Sequence, residues 1–319
     1  MHIAHFPSDQ RPKWTRPVAA LGNFDGVHRG HQKILDRVKR QADEGGGVPV
    51  IVTFDPHPPR VVRPDKAPPL LMTLDQKLET FERAGVHRVA VVNFTPDLAR
   101  WEPEVFVDTV LVDWLRVAEV WVGANFVFGR ERTGTFTLLK ALGEDRGFRA
   151  ENIDPVRYKD FVVSSTRIRH LIGEGRVDES AALLGHHYWV DGVVVHGRKL
   201  GRTLGYPTAN LDTVNELLPA NGIYATVAIV NDVQHAAVTS IGVRPTIASD
   251  QGQDGAGSPS VTVETYLLDT SLELYGKPMR LAFVQWLRQE EQFDSLDALT
   301  AQIARDCEAG RRLFSRLGL

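Results

Sequence analysis

Residues 18–42 read VAALGNFDGVHRGHQKILDRVKRQA, and the fold turns on how this stretch divides. Val18 to Phe24 is a short apolar run that ends at Asp25-Gly26. From His31 to Ala42 the period changes, with Ile34, Leu35 and Val38 on one helical face and glycines at 45–47 to stop it. A strand that feeds a helix through a polar, glycine-bearing turn is the opening unit of a parallel sheet. Outward from it the alternation continues. Val48 to Phe54 is a β-branched run, and Thr73 with Gln76 forms a capping box before a helix with Leu74, Leu78 and Phe81 inward and Gly85 behind it. Val86 to Phe94 is strand-like, Val105 to Leu115 helix-like, and Ala118 to Phe128 strand-like again. This order predicts a Rossmann-like α/β domain, a parallel sheet covered by helices, over residues 1–184. Ligands of such folds collect at the carboxyl ends of the strands, here GNFDGVHRGH, TFDPHP and GANFVFG.

The pattern changes after about Gly185. His186 to Val195, Ile223 to Val230, Ala236 to Ile241, Ser260 to Asp269 and Met279 to Leu287 are successive strand candidates with few helical patterns between them. They predict an antiparallel β-barrel over residues 185–319. Ser295 caps a terminal helix with Leu299, Ile303 and Cys307 at four-residue steps, and Ser249 to Ser260, rich in Gly, Ser and Asp, reads as a mobile loop.

Bulk composition agrees. A chain of 319 residues, 43% hydrophobic and 24% charged, has room for two globular cores. Cys307 is the single cysteine, so no bridge can form within the chain. A net charge of −3, from 37 Lys+Arg against 40 Asp+Glu, argues against a nucleic-acid backbone as partner. The N-terminus MHIAHFPSDQRPKW lacks a basic start and apolar core, and no apolar run approaches the ~20 residues of a membrane span. A cytoplasmic enzyme of small molecules is the expectation, with self-association left open.

Two segments carry the chemistry of the first domain. His28 and His31 fall at a helix N-terminus, three residues apart, with Gly30 between them to let a ligand approach the backbone. Free N–H groups and the helix dipole attract phosphate there, and two imidazoles can stabilise the added charge on an α-phosphate under attack. A surface histidine pair is the bland reading, and zinc lacks a third clustered ligand. Far downstream, Val163-Ser-Ser-Thr-Arg-Ile-Arg169 offers hydroxyls and arginines suited to a triphosphate, although Ser-Ser-Thr alone is also a common helix cap.

The second domain has its own pair. His196-Gly-Arg-Lys-Leu-Gly-Arg-Thr-Leu-Gly-Tyr-Pro-Thr-Ala-Asn210 carries glycines at 197, 201 and 205 that open backbone N–H groups to phosphate. It is neither a Walker A loop nor a Rossmann fingerprint. Thr208 and Asn210 offer hard oxygens for Mg²⁺. Glu264, within a strand at a barrel mouth, can accept the proton of an attacking hydroxyl.

Taken together, GNFDGVHRGHQ, TFDPHP, GANFVFGRERTG and SSTRIR resemble the FAD synthetase module of bacterial bifunctional riboflavin kinase/FAD synthetases. GRTLGYPTANL, NGIYA, IGVRPT, LYG and LRQEEQFDSLDAL resemble the riboflavin kinase module of the same family. The resemblance, from about residue 17 to about 315, implies phosphorylation of riboflavin to FMN and adenylylation of FMN to FAD, with ATP as donor, pyrophosphate released and Mg²⁺ required. It implies that His28 and His31 act on the ATP phosphates and that Asn23, Asp25, Gly30, Ser165, Thr166 and Arg169 complete that ATP site. Phe54, Asn125 and Phe128 would lie near the flavin, although Phe54 and Phe128 fit the core equally. In the kinase module it implies a phosphate loop at Gly197, Gly201, Arg202 and Gly205, a metal held at Thr208 and Asn210, and Glu264 as base. Three positions depart from the family pattern: Tyr266 stands for His, Thr270 for an aromatic and Ile247 for Phe. They motivate a neighbouring reading in which only adenylylation survives. A flavin-binding sensor without turnover is opposed by intact His28, His31 and Glu264.

Overall fold

The computed structural model describes residues 1–197, 200–243, 261–270 and 272–318. Ile247 and the segment read as a mobile loop lie outside them, as does the side chain of Arg202. The chain divides into two compact units, Met1–Ser165 and Thr166–Leu319.

In the first unit, β1 (His2–Phe6), β2 (Pro17–Leu21), β3 (Val48–Asp55), β4 (Arg88–Asn93), β5 (Glu119–Gly123) and β6 (Arg149–Ile153) form one sheet. Its order is β1-β4-β3-β2-β5-β6, and every pairing is parallel. A parallel sheet is covered on both faces, so its strands read as continuous apolar runs. All five residues of β2 are buried. Ala19, Leu21, Val50, Val52, Ala90, Val92, Val120 and Val122 share one core with Phe106, Leu111, Leu139 and Phe148. The helix α1 (Arg29–Gly45) buries Ile34, Leu35, Val38 and Ala42 and stops at Gly46, whose φ of +64° ends it in the left-handed region. Strand order reverses at β2: the chain leaves it for β3 on one side and returns to β5 on the other. The crevice of such a sheet opens at that point.

Three local readings shift. The capping box of Thr73 and Gln76 opens α2 (Leu74–Arg83), but the face it buries is Gln76, Lys77 and Phe81, with Leu74 and Leu78 half-exposed. Residues 107–114 form a wide helix with i→i−5 bonding (Leu115 N–H to Val110 O, 3.0 Å), which seats Trp114 edge-on against Phe6 at 5.2 Å. The strand read through Phe128 ends at Gly123, and Val127–Phe128 pairs instead with Gly134–Thr135. The helix α3 (Phe136–Arg146) follows that pairing.

In the second unit, α4 (Ser165–Gly173) opens at the division, and α5 (Val177–Leu184) packs on the barrel. The barrel closes in the order β7-β8-β11-β10-β9-β12, all antiparallel, where β7 is Tyr188–Val195, β8 Ala209–Thr213, β9 Gly222–Val230, β10 Val233–Val243, β11 Val261–Leu267 and β12 Pro278–Arg288. Closure leaves no edge to protect. Alternation sends Tyr224, Thr226, Ala228, Ala237, Thr239, Ile241, Val263, Thr265 and Leu267 inward, all buried. The outward residues Ile223, Ala225, Val227, Val238 and Val284 meet Cys307, Leu313 and Phe314 of the terminal helix α6 (Leu296–Leu317). The buried stripe of α6 runs through Asp306, Cys307, Gly310, Leu313 and Phe314, while Leu299 and Ile303 are half-exposed.

Candidate functional site

The turn after β2 is held in an uncommon backbone. Phe24, Gly26 and Val27 have φ of +50°, +85° and +39°. A β-branched residue at positive φ is held there only by its surroundings. Anchors come from four directions. Lys77 Nζ and Thr53 Oγ1 both donate to the Asn23 carbonyl, at 3.0 and 3.2 Å. The buried Asp25 carboxylate accepts the Leu71 N–H at 3.0 and 3.2 Å, and Ser165 Oγ donates to the Asp25 carbonyl at 2.8 Å. Gln32 Nε2 reaches back to the Val27 carbonyl at 2.9 Å.

This turn delivers the histidine pair. His28 is the N-cap of α1, and its Nδ1 accepts the backbone N–H of His31 at 3.4 Å. That bond assigns the proton of a neutral His28 to Nε2. The two rings stack at 3.6 Å, 13° from parallel, and the Phe24 ring meets His31 edge-on at 5.1 Å. Nδ1 of His31 is buried and has no hydrogen-bond partner among the described residues. Burial, then the neighbouring His28, then the Lys77 ammonium hold the His31 pKa well below the usual imidazole range. Lys77 is itself pulled down by burial, against Asp25 and Asp55. Two stacked imidazoles thus stand at a helix N-terminus, one of them kept neutral, and such termini favour anions.

The other residues read for this site fall as follows. The Asn23 side chain is exposed at the start of the turn, and Gly30 faces the His28 ring, with room for a Cβ only 3.1 and 3.2 Å from Cε1 and Nδ1. Gly30 thus accommodates the histidine as well as any ligand. Both carboxylate oxygens of Asp25 accept the Leu71 N–H, which anchors the turn. Ser165 fastens the same turn; Thr166 and Arg169 stand on α4 in the second unit. Asn125 is exposed just beyond β5, at the crevice. Phe54 and Phe128 are core residues, each tilted against Phe106 at 6.1 and 6.0 Å; the more open aromatic is Phe126, stacked on Phe128 at 5.5 Å.

On the barrel, Glu264 pairs in register with Asn210 of β8 and with Ser240 of β10. The three therefore form one cross-strand row, on the face opposite the buried Thr265. Their row lies on the outer wall of the barrel. Thr208 Oγ1 lies 3.4 Å from Glu264 Oε2, within a hydrogen bond. Gly197 lacks a side chain where the Asn210 amide packs, Gly201 where Tyr206 O and Thr208 Oγ1 crowd, and Gly205 turns at φ +83°. Tyr206 and Tyr266 meet edge-to-face at 5.3 Å on the same side. Burial, with the negative Glu264 nearby, pushes the Glu290 carboxyl up against the pull of Arg288. Lys77 and Ser240 lie outside the motifs, and only the fold or the strand register reveals them; Thr53 of TFDPHP and Glu290 of LRQEEQFDSLDAL lie inside quoted motifs, but their contacts show only in the fold.

Comparison with known proteins covers both halves. The family profile described as FAD synthetase matches residues 10–167, and the one described as riboflavin kinase matches residues 184–314. A bifunctional riboflavin kinase/FMN adenylyltransferase of Pseudomonas fluorescens is 38% identical over 303 residues, 95% of this chain and 94% of the relative. Another, of Listeria monocytogenes, is 36% identical over 310 residues, 96% of this chain and 95% of the relative. The crystal structure of a macrolide-efflux protein from Streptococcus pneumoniae shares the fold, with a TM-score of 0.86 and 25% identity over 98% of this chain and 99% of that one. Among the described residues no helix of the present chain is long and apolar enough to cross a membrane.

Proposed function

Because the chain belongs to the family of bifunctional riboflavin kinase/FMN adenylyltransferases, we propose that it makes FMN on the barrel and FAD at the β2–β5 crevice, each time with ATP. The observation that carries this is the coexistence of two built sites in one chain: the stacked His28–His31 pair at α1, and the Thr208–Glu264–Asn210 row on a closed barrel.

In the crevice, a phosphate oxygen of FMN attacks the α-phosphorus of ATP, the bond to the β-phosphate breaks, and pyrophosphate leaves. His28 and His31 stabilise the charge that grows on the α-phosphate oxygens. A neutral His31 can take up a proton as that charge arrives. Thr166 and Arg169 are assigned to the leaving phosphates, as hydroxyl and guanidinium donors. Asn23 and Asn125 are the exposed amides for ATP and for the flavin, and Phe126 is the aromatic for the flavin, with Phe128 stacked behind it and Phe54 in the core.

On the barrel, the ribityl 5′-hydroxyl of riboflavin attacks the γ-phosphorus, its proton passes to Glu264, and ADP leaves. Gly197, Gly201, Arg202 and Gly205 form the phosphate loop of this reading. Thr208 and Asn210 offer an all-oxygen donor set of the kind Mg²⁺ takes beside phosphate oxygens, and Mg²⁺ held there would offset the phosphate charge. No group of three or more His, Cys, Asp and Glu side chains suited to a metal occurs among the described residues, so the ion would share its ligands with the nucleotide. We set the functional boundary at 184/185; in support, the riboflavin kinase match begins at residue 184. A cytoplasmic location follows from ATP as donor in both steps.

The test is chromatography of flavins after incubating the purified protein with riboflavin and Mg-ATP. The wild type is expected to convert riboflavin through FMN to FAD. His28→Ala should accumulate FMN, with adenylylation down by ~10². Glu264→Gln should leave riboflavin unconverted yet still adenylylate added FMN. A folded variant of either kind that lost both activities would overturn the two-site scheme.

A further inference from the structure

Lys77 lies one turn into α2, directly after the capping box and outside the motifs read for chemistry, and its side chain is buried. Burying an ammonium is unfavourable unless it is hydrogen-bonded and paired. Its Nζ donates to the Asn23 carbonyl at 3.0 Å, the carbonyl that Thr53 also holds. Asn23 is the last residue before the run of positive φ at Phe24, Gly26 and Val27 that ends on His28. A methionine would fill the same space without desolvating a charge, so the lysine calls for another reason. That reason lies in the ring pair above it.

We propose that Lys77 is a positioning residue for adenylyl transfer: its ammonium clamps the Asn23 carbonyl, fixes the turn that presents His28 and His31, and sets a positive charge behind them without touching substrate. This rests on the reading of that pair as the adenylyl-transfer site. The charge reaches His31. The groups facing the His31 ring are His28 from its own turn and Lys77 from α2, and those facing Lys77 are Asp25 of the turn and Asp55 at the end of β3. Removing the lysine charge therefore lets the His31 pKa climb towards its ordinary value. A residue that only filled space would leave that titration where it was.

Three full-length variants separate the parts. Lys77→Met removes donor and charge, Lys77→Gln keeps a donor, and Lys77→Arg keeps both. FMN adenylylation is measured as kcat/KM, the His31 imidazole titration is followed by NMR, the dispersed amide spectrum of the first unit reports its folding, and riboflavin phosphorylation in the same sample reports the barrel. Lys77→Met should lose roughly 10- to 100-fold in adenylylation, as misplacement of catalytic groups does, with the His31 midpoint moved up in pH and kinase activity unchanged. Lys77→Gln should recover part of the rate but keep the raised midpoint, and Lys77→Arg should keep the wild-type midpoint. Adenylylation within twofold of wild type in Lys77→Met, or a lost rate with the His31 midpoint unmoved, overturns the proposal. Should Lys77→Met not fold, an unmoved midpoint in Lys77→Gln overturns it equally. An active His28→Ala would instead sink the reading beneath it, whereas an inactive His28→Ala beside a silent lysine sinks this inference alone.

Discussion

Gly30→Ala separates stability from catalysis at the histidine pair. A Cβ at position 30 would sit 3.1 Å from Cε1 and 3.2 Å from Nδ1 of His28, closer than ordinary contact by a few tenths of an ångström. The His28 ring has to yield, and it cannot do so quietly. It is stacked at 3.6 Å on His31, and its Nδ1 caps α1 through a bond already 3.4 Å long. Lengthening that bond forfeits part of an N-cap, typically about 1 kcal/mol. Alanine in place of glycine within a helix returns up to about 1 kcal/mol. The two nearly cancel, so the melting temperature should move by less than about 4 °C, the shift that 1 kcal/mol gives a domain of this size. Catalysis has no such offset under the proposed function, in which a displaced imidazole would meet the α-phosphate off line, and displacements of about 1 Å cost ~10² in rate. For a shift of tenths of an ångström a loss of roughly tenfold is the expectation. The assay converts FMN to FAD at saturating ATP, with riboflavin phosphorylation as the internal control. Adenylylation within twofold of wild type would falsify the claim that ring placement sets the rate.

Acid should destabilise the first unit through His31. Its folded-state pKa lies well below the usual value near 6.5, so the unfolded chain binds a proton that the folded one refuses, and stability falls as pH drops below about 6.5 towards the folded pKa. His31→Gln should flatten that dependence, read by denaturant unfolding at pH 7.5 and 5.5; an equal loss in both proteins counts against it. In the barrel, Thr226, Thr239 and Thr265 form a buried hydroxyl chain with links of 2.7 and 2.9 Å. Thr239→Val strands both neighbours and should cost about 2 kcal/mol, whereas valine at all three positions should cost less than the single change. Additive losses would show that the hydroxyls act independently. Asp306 is buried and receives Arg288 at 2.9 and 2.8 Å, plus Gln302 at 2.8 Å. Asp306→Ala should destabilise the second unit by roughly 3 kcal/mol by leaving a shielded guanidinium without its carboxylate, and Asp306→Asn, which keeps the shape but not the charge, by a comparable amount; a near-neutral Asp306→Asn would point to lost packing instead.

Legibility along the chain followed the range of the interactions involved. The capping box of Thr73 and Gln76, the α1 stripe of Ile34, Leu35 and Val38, and the glycine stop at 46 are local, and each stands in the sequence as in the structure. The barrel strands were legible as successive strand-like runs at short spacing, with one exception. Ala209–Thr213 reads as a ligand-binding motif, and its second identity as strand β8 is hidden because Thr208 and Asn210 draw attention to chemistry. The strand β1 escaped notice for a different reason: its partner β4 lies more than eighty residues away, and a five-residue edge strand has too few buried positions to show a period. Phe54 and Phe128 show the limit of motif reading, since a strand-end aromatic can face either ligand or core, and the neighbouring Phe106 turns both inward.

Lys77 shows why the rest of the site was illegible. A lysine in the second turn of an amphipathic helix reads as solvent-facing, because free lysines gain from water what buried ones lose. Only the partner, a backbone carbonyl 54 residues away, reverses that preference. The same holds for Ser240, which becomes a neighbour of Glu264 through strand register alone. Motifs name the groups that meet substrate, since their chemistry admits few substitutes. The groups that aim them act through backbone atoms, which every residue type possesses, so their identity leaves no trace until the chain is folded. The burial of Lys77 is therefore informative because nothing in the packing alone requires a charge there.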